Sequence, residues 1–84
     1  MNFTVTWTEE ADELLCELFL AVPEPDEFSR LINAIERELG RNPENVGESR
    51  DGSMRVVMQD NVGILFEISH ADRSVQVIHI GWLP

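Results

Sequence analysis

The sequence predicts an α+β fold with the order β-α-α-β-β-β, in which a two-helix hairpin packs on one face of an antiparallel sheet. Three observations carry this expectation. Apolar residues alternate over 3–7, recur every three or four positions between 11 and 39, and alternate again from 54 onward. Pro23 and Pro25 split the helical stretch in two. Polar turn residues split the later stretch into three strands.

Phe3, Val5 and Trp7 alternate with Thr4, Thr6 and Thr8, which reads as a strand with one apolar face. Thr8 fits a helix N-cap, and Glu9 and Glu10 follow where the helix dipole favours negative charge. Ala11, Leu14, Leu15, Leu18 and Val22 then give an amphipathic helix over 9–21. A second helix opens near Asp26. Its apolar stripe is Phe28, Leu31, Ile32, Ile35 and Leu39, and Gly40 is its expected stop. Residues 42–53 read as a polar loop. Met54, Val56 and Met58 begin a meander, with turns at 60–63 and 70–73.

The helices are expected to cover Met54, Val56, Met58, Ile64, Phe66, Ile68, Ile78 and Ile80. Arg55, Val57, Leu65, Glu67, Val77 and His79 then lie on the open face. If residue 58 pairs with 64, Arg55 stands opposite Glu67. His79 falls beside Glu67 or one pair further along.

Composition narrows the function. The 84 residues and 43% hydrophobic content describe one small globular domain, 1–84, with little stability margin, so a partner or a homodimer bears on its stability. A two-lobed enzyme is excluded. Net charge is −10, and all six bases are Arg. Residues 9–27 hold eight acids and no base, leaving −2 on the rest. A general phosphate-binding surface is disfavoured by this repulsion, so nucleic acid is a poor partner overall. A local Arg site in the C-terminal half remains open. The N-terminus has neither the basic region nor the apolar run of a signal peptide, and the longest apolar run is 18–22, so the expected location is cytoplasmic, with no membrane partner.

Arg55, Glu67 and His79 are the best chemical constellation. RNA cleavage needs a base for a 2′-hydroxyl, an acid for the leaving group and cations for the phosphate. Glu67 and His79 fit proton transfer, and Arg50 and Arg55 fit phosphate or a partner's carboxylate. The plainer reading makes Arg55–Glu67 a cross-strand ion pair worth about 0.2–1 kcal/mol and His79 an ordinary strand residue. His70 and His79 make no metal site, no cofactor is expected, and Cys16 reads as packing. Trp82 is expected to cover the core beside Trp7.

The element order and the runs Gly47-Glu48-Ser49-Arg50-Asp51-Gly52, Met54-Arg55-Val56-Val57, Gly63-Ile64-Leu65-Phe66-Glu67-Ile68 and Val77-Ile78-His79-Ile80-Gly81 resemble the RelE/ParE toxin superfamily. Val5-Thr6-Trp7-Thr8-Glu9-Glu10-Ala11 resembles its first strand and helix start. The resemblance implies a type II toxin–antitoxin (plasmid stabilisation) fold and a cognate antitoxin. It offers two targets, the ribosome for RelE-like members, which cleave mRNA there, and DNA gyrase for ParE-like members. RNA-cleaving members place basic residues on the open sheet face, and Arg55 matches one such position. Val57, Gly63 and Leu83 stand where further cations are usual, and His79 where many relatives carry Arg. The sequence stops at Pro84, before the segment that carries an aromatic catalytic residue in some members. These departures favour a gyrase-type toxin or a non-catalytic interaction module on the same fold over an endoribonuclease using Glu67 and His79.

Overall fold

The computed structural model describes residues 2–83. Strand β1 (Thr4–Trp7) leads into α1 (Glu9–Ala21) and α2 (Pro25–Arg41), followed by a 3-10 turn at Pro43–Asn45. Strands β2 (Glu48–Asp51), β3 (Met54–Gln59), β4 (Val62–Ser69) and β5 (Ser74–Trp82) complete the chain. They form one five-stranded sheet in the order β1-β5-β4-β3-β2. The α+β architecture and the helical hairpin agree with the sequence. The sheet is mixed rather than wholly antiparallel, because β1 runs parallel to β5. The loop expected over 42–53 contains an additional edge strand, β2.

Each helix forms for a local reason. The Thr8 hydroxyl accepts from the Ala11 N–H at 3.1 Å, satisfying one donor that the first turn leaves free. Pro25 sits in the first turn of α2, where its missing N–H has no consequence. α2 buries Phe28, Ile32, Ile35 and Leu39 at spacings of three and four. It runs one residue past Gly40, whose carbonyl accepts from Phe3 N–H at 2.7 Å. A Cβ at Gly40 would meet the Phe3 carbonyl at 3.5 Å, an ordinary van der Waals contact, so the chain entering β1 does not require a glycine here.

The core lies between the helices and one sheet face. Phe66, Ile64, Val62, Val75, Val77 and Ile80 are its sheet side, and Leu39, Ile35 and Ile32 its main helical side. Each such side chain contributes about 1.5–3 kcal/mol through lost water contact. α1 contributes less: Ala11 alone is fully buried, while Leu14, Leu15, Leu18 and Phe19 are half-covered. Phe19 meets Phe28 edge to face at 5.0 Å, tying the helices together. Among the described residues no helix is long and apolar enough to cross a membrane.

The β3–β4 hairpin corrects the expected faces. Asp60 and Asn61 both have positive φ, 49° and 71°, and form a two-residue turn. Gln59 therefore faces Val62, Val57 faces Ile64, Arg55 faces Phe66 and Met54 faces Glu67. This is one residue away from the 58–64 pairing, and a one-residue change turns every β3 side chain over. Arg55, Val57 and Gln59 lie on the helix side, and Met54, Val56 and Met58 on the open side. Strand β5 carries a bulge: Val77 faces Phe66 and His79 faces Leu65, leaving Ile78 as the extra residue. The bulge lets Val75, Val77 and Ile80 all be buried, so Val77 belongs to the core rather than to the open face. Trp82 packs against the core opposite Val62, five positions beyond the Val77 that faces Trp7, so the two indoles are not neighbours.

Candidate functional site

The open sheet face is built in rows. One row runs Asp51–Met54–Glu67–Gln76–Thr6, and the next runs Glu48–Val56–Leu65–His79. A third holds Met58, Gly63 and Gly81. The centre is apolar, with Met54, Val56 and Leu65 half-exposed and Met58 58% exposed. Glu67 and His79 are exposed on this face in adjacent rows of neighbouring strands. That diagonal relation puts their Cα atoms about 7–8 Å apart. Of the two placements expected for His79, the structure adopts the one a pair further along. Glu67 accepts a hydrogen bond from the Ser53 hydroxyl at 2.9 Å, which orients it near the β2–β3 turn.

Arg55 is not opposite Glu67. It stands on the helix side, half-buried, and its guanidinium bridges two carbonyls of the chain leaving α2: Nε to Val46 at 3.0 Å and Nη2 to Gly47 at 2.9 Å. These bonds give the half-buried guanidinium and both carbonyls their partners, and they fix the approach to β2. The position that matches a cation of RNA-cleaving relatives therefore turns away from the open face. Arg50 is the extra residue of an irregularity in β2, between Ser49 and Asp51, and is exposed at the sheet edge. The structure thus brings Glu67 and His79 together on one face, leaves Arg50 at its edge, and places Arg55 on the other face, across from Ser49.

Arg55 instead shares a depression of about 540 Å³ with Glu44, Ser49, Ser53 and His70. His70 Nε2 lies 3.1 Å from Glu44 Oε1, with both side chains well exposed. An exposed pair of this kind contributes about 0–1 kcal/mol. No sequence pattern points to this contact, since the partners sit on separate elements and neither belongs to a motif. Among the described residues no group of three or more His, Cys, Asp or Glu side chains converges as metal ligands do.

The open face can therefore offer an acid–base pair and an apolar platform. Its rows hold no arginine except Arg50 at the margin. Charge building on a phosphate during cleavage needs cations or donors aimed at it. A face centred on Met54, Val56, Met58 and Leu65 is better matched to a protein surface than to a phosphodiester.

No family model and no curated protein matches the chain. Solved structures do. A RelBE toxin–antitoxin complex of Mycobacterium tuberculosis matches with a TM-score of 0.73 and 18% identity, over 99% of this chain and 93% of the other. A chromosomal ParDE toxin–antitoxin system of P. aeruginosa matches with a TM-score of 0.67 and 14% identity, over 98% and 97%. An archaeal RelE–RelB complex of Pyrococcus horikoshii matches with a TM-score of 0.68 and 10% identity, over 98% and 96%. The chain has the fold that these RelE/ParE toxin–antitoxin structures contain.

Proposed function

We propose that this chain is a toxin-like component of a type II toxin–antitoxin system that works by protein contact through its open sheet face. The observation that supports this most is the shared fold over nearly the whole chain, in three structures that are all toxin–antitoxin complexes. The contact mechanism rests on the apolar centre of the face and on Arg55 turning to the helix side. A cognate antitoxin is the expected partner, and gyrase is favoured over the ribosome as the target. A second reading keeps the fold and the partner but removes the poison: a module that titrates an antitoxin. The acidic balance of −10 favours it.

Induction in a bacterial host without a partner gene, followed by colony counts, separates these readings. Growth arrest with loss of supercoiling is the expected result for a gyrase-directed toxin. Met58→Glu, which adds charge to an already exposed site, abolishes arrest, while Glu67→Gln and His79→Ala preserve it. Arrest lost in Glu67→Gln and His79→Ala, with cleaved mRNA in the wild type, assigns the endoribonuclease instead. Folded protein without arrest assigns the non-catalytic module.

A further inference from the structure

A second surface lies at the far end of the helical hairpin. Val22, Phe28, Leu31, Val62 and Trp82 floor a groove of about 280 Å³ between the α1–α2 link, the β3–β4 turn and the end of β5. Its rim carries Glu24, Glu27 and Asp60, and no cation lines it. Leu20, two residues before Val22, is 90% exposed, and Leu83, next to Trp82, is 65% exposed. These are two of the most exposed large apolar side chains among the described residues, and both lie close in sequence to residues of the groove without lining it.

Size and charge select the occupant. At about 280 Å³ the groove stands at the small end of the roughly 300–1,000 Å³ of small-molecule sites, a size that also suits one or two anchoring side chains of a larger partner. A second copy would set three carboxylates against three more. Nucleic acid and anionic lipid meet the same repulsion. A cationic amphipathic helix meets none of these costs. Its apolar side chains reach Phe28 and Leu31, its Arg or Lys side chains pair with the rim, and a guanidinium gains further from the Trp82 ring.

We infer that this groove docks a basic amphipathic helix of a protein partner. The inference deepens the toxin–antitoxin reading by naming the chemistry of a partner segment, and it places that segment away from the open sheet face. Glu27 also lies in the first turn of α2, where a carboxylate favours the helix dipole. Asp26 shares that position but does not line the groove, so Asp26→Asn serves as a matched control.

The test is selection of helical peptides from a displayed random library on the full chain. Binders are then measured on the wild type, on Asp26→Asn and on Glu24→Gln/Glu27→Gln/Asp60→Asn. Selected peptides are expected to carry Arg or Lys with Leu, Ile or Trp at helical spacing. Their affinity is expected to fall at least tenfold, about 1.4 kcal/mol, in the triple variant and to be unchanged in Asp26→Asn. Trp7→Phe leaves Trp82 as the sole indole, whose emission is expected to shift on binding. Circular dichroism checks that each variant is folded. Failure to enrich any peptide, enrichment of acidic or uncharged ones, or equal binding by the triple variant overturns the inference. Growth arrest alongside such a failure leaves the toxin reading standing. Basic binders without arrest leave the groove standing and remove the poison.

Discussion

At the scale of single residues, two glycines with similar backbones have different reasons to be glycine. Gly47 has φ +66° and Gly52 φ +56°, both in the left-handed region that side chains avoid. A Cβ on Gly52 meets nothing within 4 Å, whereas one on Gly47 would run into the Val56 carbonyl and sit 2.9 Å from Val57 Cα. Gly52→Ala is therefore expected to cost about 1 kcal/mol in urea unfolding, and Gly47→Ala at least twice as much, because strand β3 must move. Glu36 gives a pH-dependent case. Burial raises its carboxyl above the ordinary 4.5, with the Trp7 indole N–H pulling the other way. The folded protein then holds this proton more tightly than the unfolded chain does. That contribution is complete below 4.5 and is lost as pH rises through the higher folded value. Glu36→Gln is expected to be more stable than the wild type at neutral pH, with the difference closing as pH falls through the raised folded value towards 4.5. A constant difference across that range would place the effect in packing instead.

At the scale of elements, the sequence was most legible where period and cap coincide. Thr8, the acids after it and the apolar spacing located α1 to the residue, and Thr8 has a second role that no local pattern announces. Its hydroxyl also lies 3.5 Å from the Ile78 carbonyl, the extra residue of the β5 bulge. Thr8→Ala is expected to cost about 1 kcal/mol through the lost cap, with Thr8→Ser recovering most of it. Thermal unfolding of the three proteins measures this. The sheet was legible as strands but not as faces. Met54 to Met58 are apolar at every position except Arg55, so either parity of β3 is plausible from hydrophobicity alone. The turn decides: an Asp60-Asn61 turn of two residues pairs 59 with 62 and puts Arg55 on the helix side, whereas a longer turn does not. Val77 and Ile78 are adjacent apolar residues, which is how a bulge looks in a sequence that keeps both flanks buried. Strand β2, Glu-Ser-Arg-Asp, has no apolar residue and is held by backbone pairing at an edge, so hydrophobic period carries no trace of it. The candidate site inherits these limits. Glu67 falls on its expected face because β4 alternates cleanly, Arg55 does not because β3 lacks that alternation, and His79 shares the face of Glu67 while Val77 does not because the β5 bulge lies between them.

At the scale of the whole molecule, the charge distribution opposes the fold that it decorates. The described residues contain one arginine–carboxylate pair, Arg41 with Glu38 at 3.9 Å, and one histidine–carboxylate contact, His70 with Glu44 at 3.1 Å, and both are exposed. Neither reaches α1, where Glu9, Glu13 and Glu17 follow one another at four-residue spacing and the last turn holds no base. Like charges at that spacing cost about 0.2–0.5 kcal/mol per pair. Glu9 recovers this from the dipole of the first turn, but Glu17 stands four residues from the helix end, where a cation is favoured. Glu17→Lys is therefore expected to stabilise the protein by about 0.5–1 kcal/mol at low salt, and Glu9→Lys to destabilise it. The wild-type melting temperature is expected to rise with sodium chloride as the Debye length shrinks, and the Glu17→Lys advantage to shrink with it. Melting curves over a salt series check both. If salt leaves the wild type unchanged, the acids are too well solvated to strain the fold. If salt stabilises it, the hairpin carries its charge at a loss, and the compensation must lie in what binds there. The same salt that stabilises the free chain should then weaken a basic helix held by Glu24, Glu27 and Asp60, so stability and partner affinity move in opposite directions along one axis.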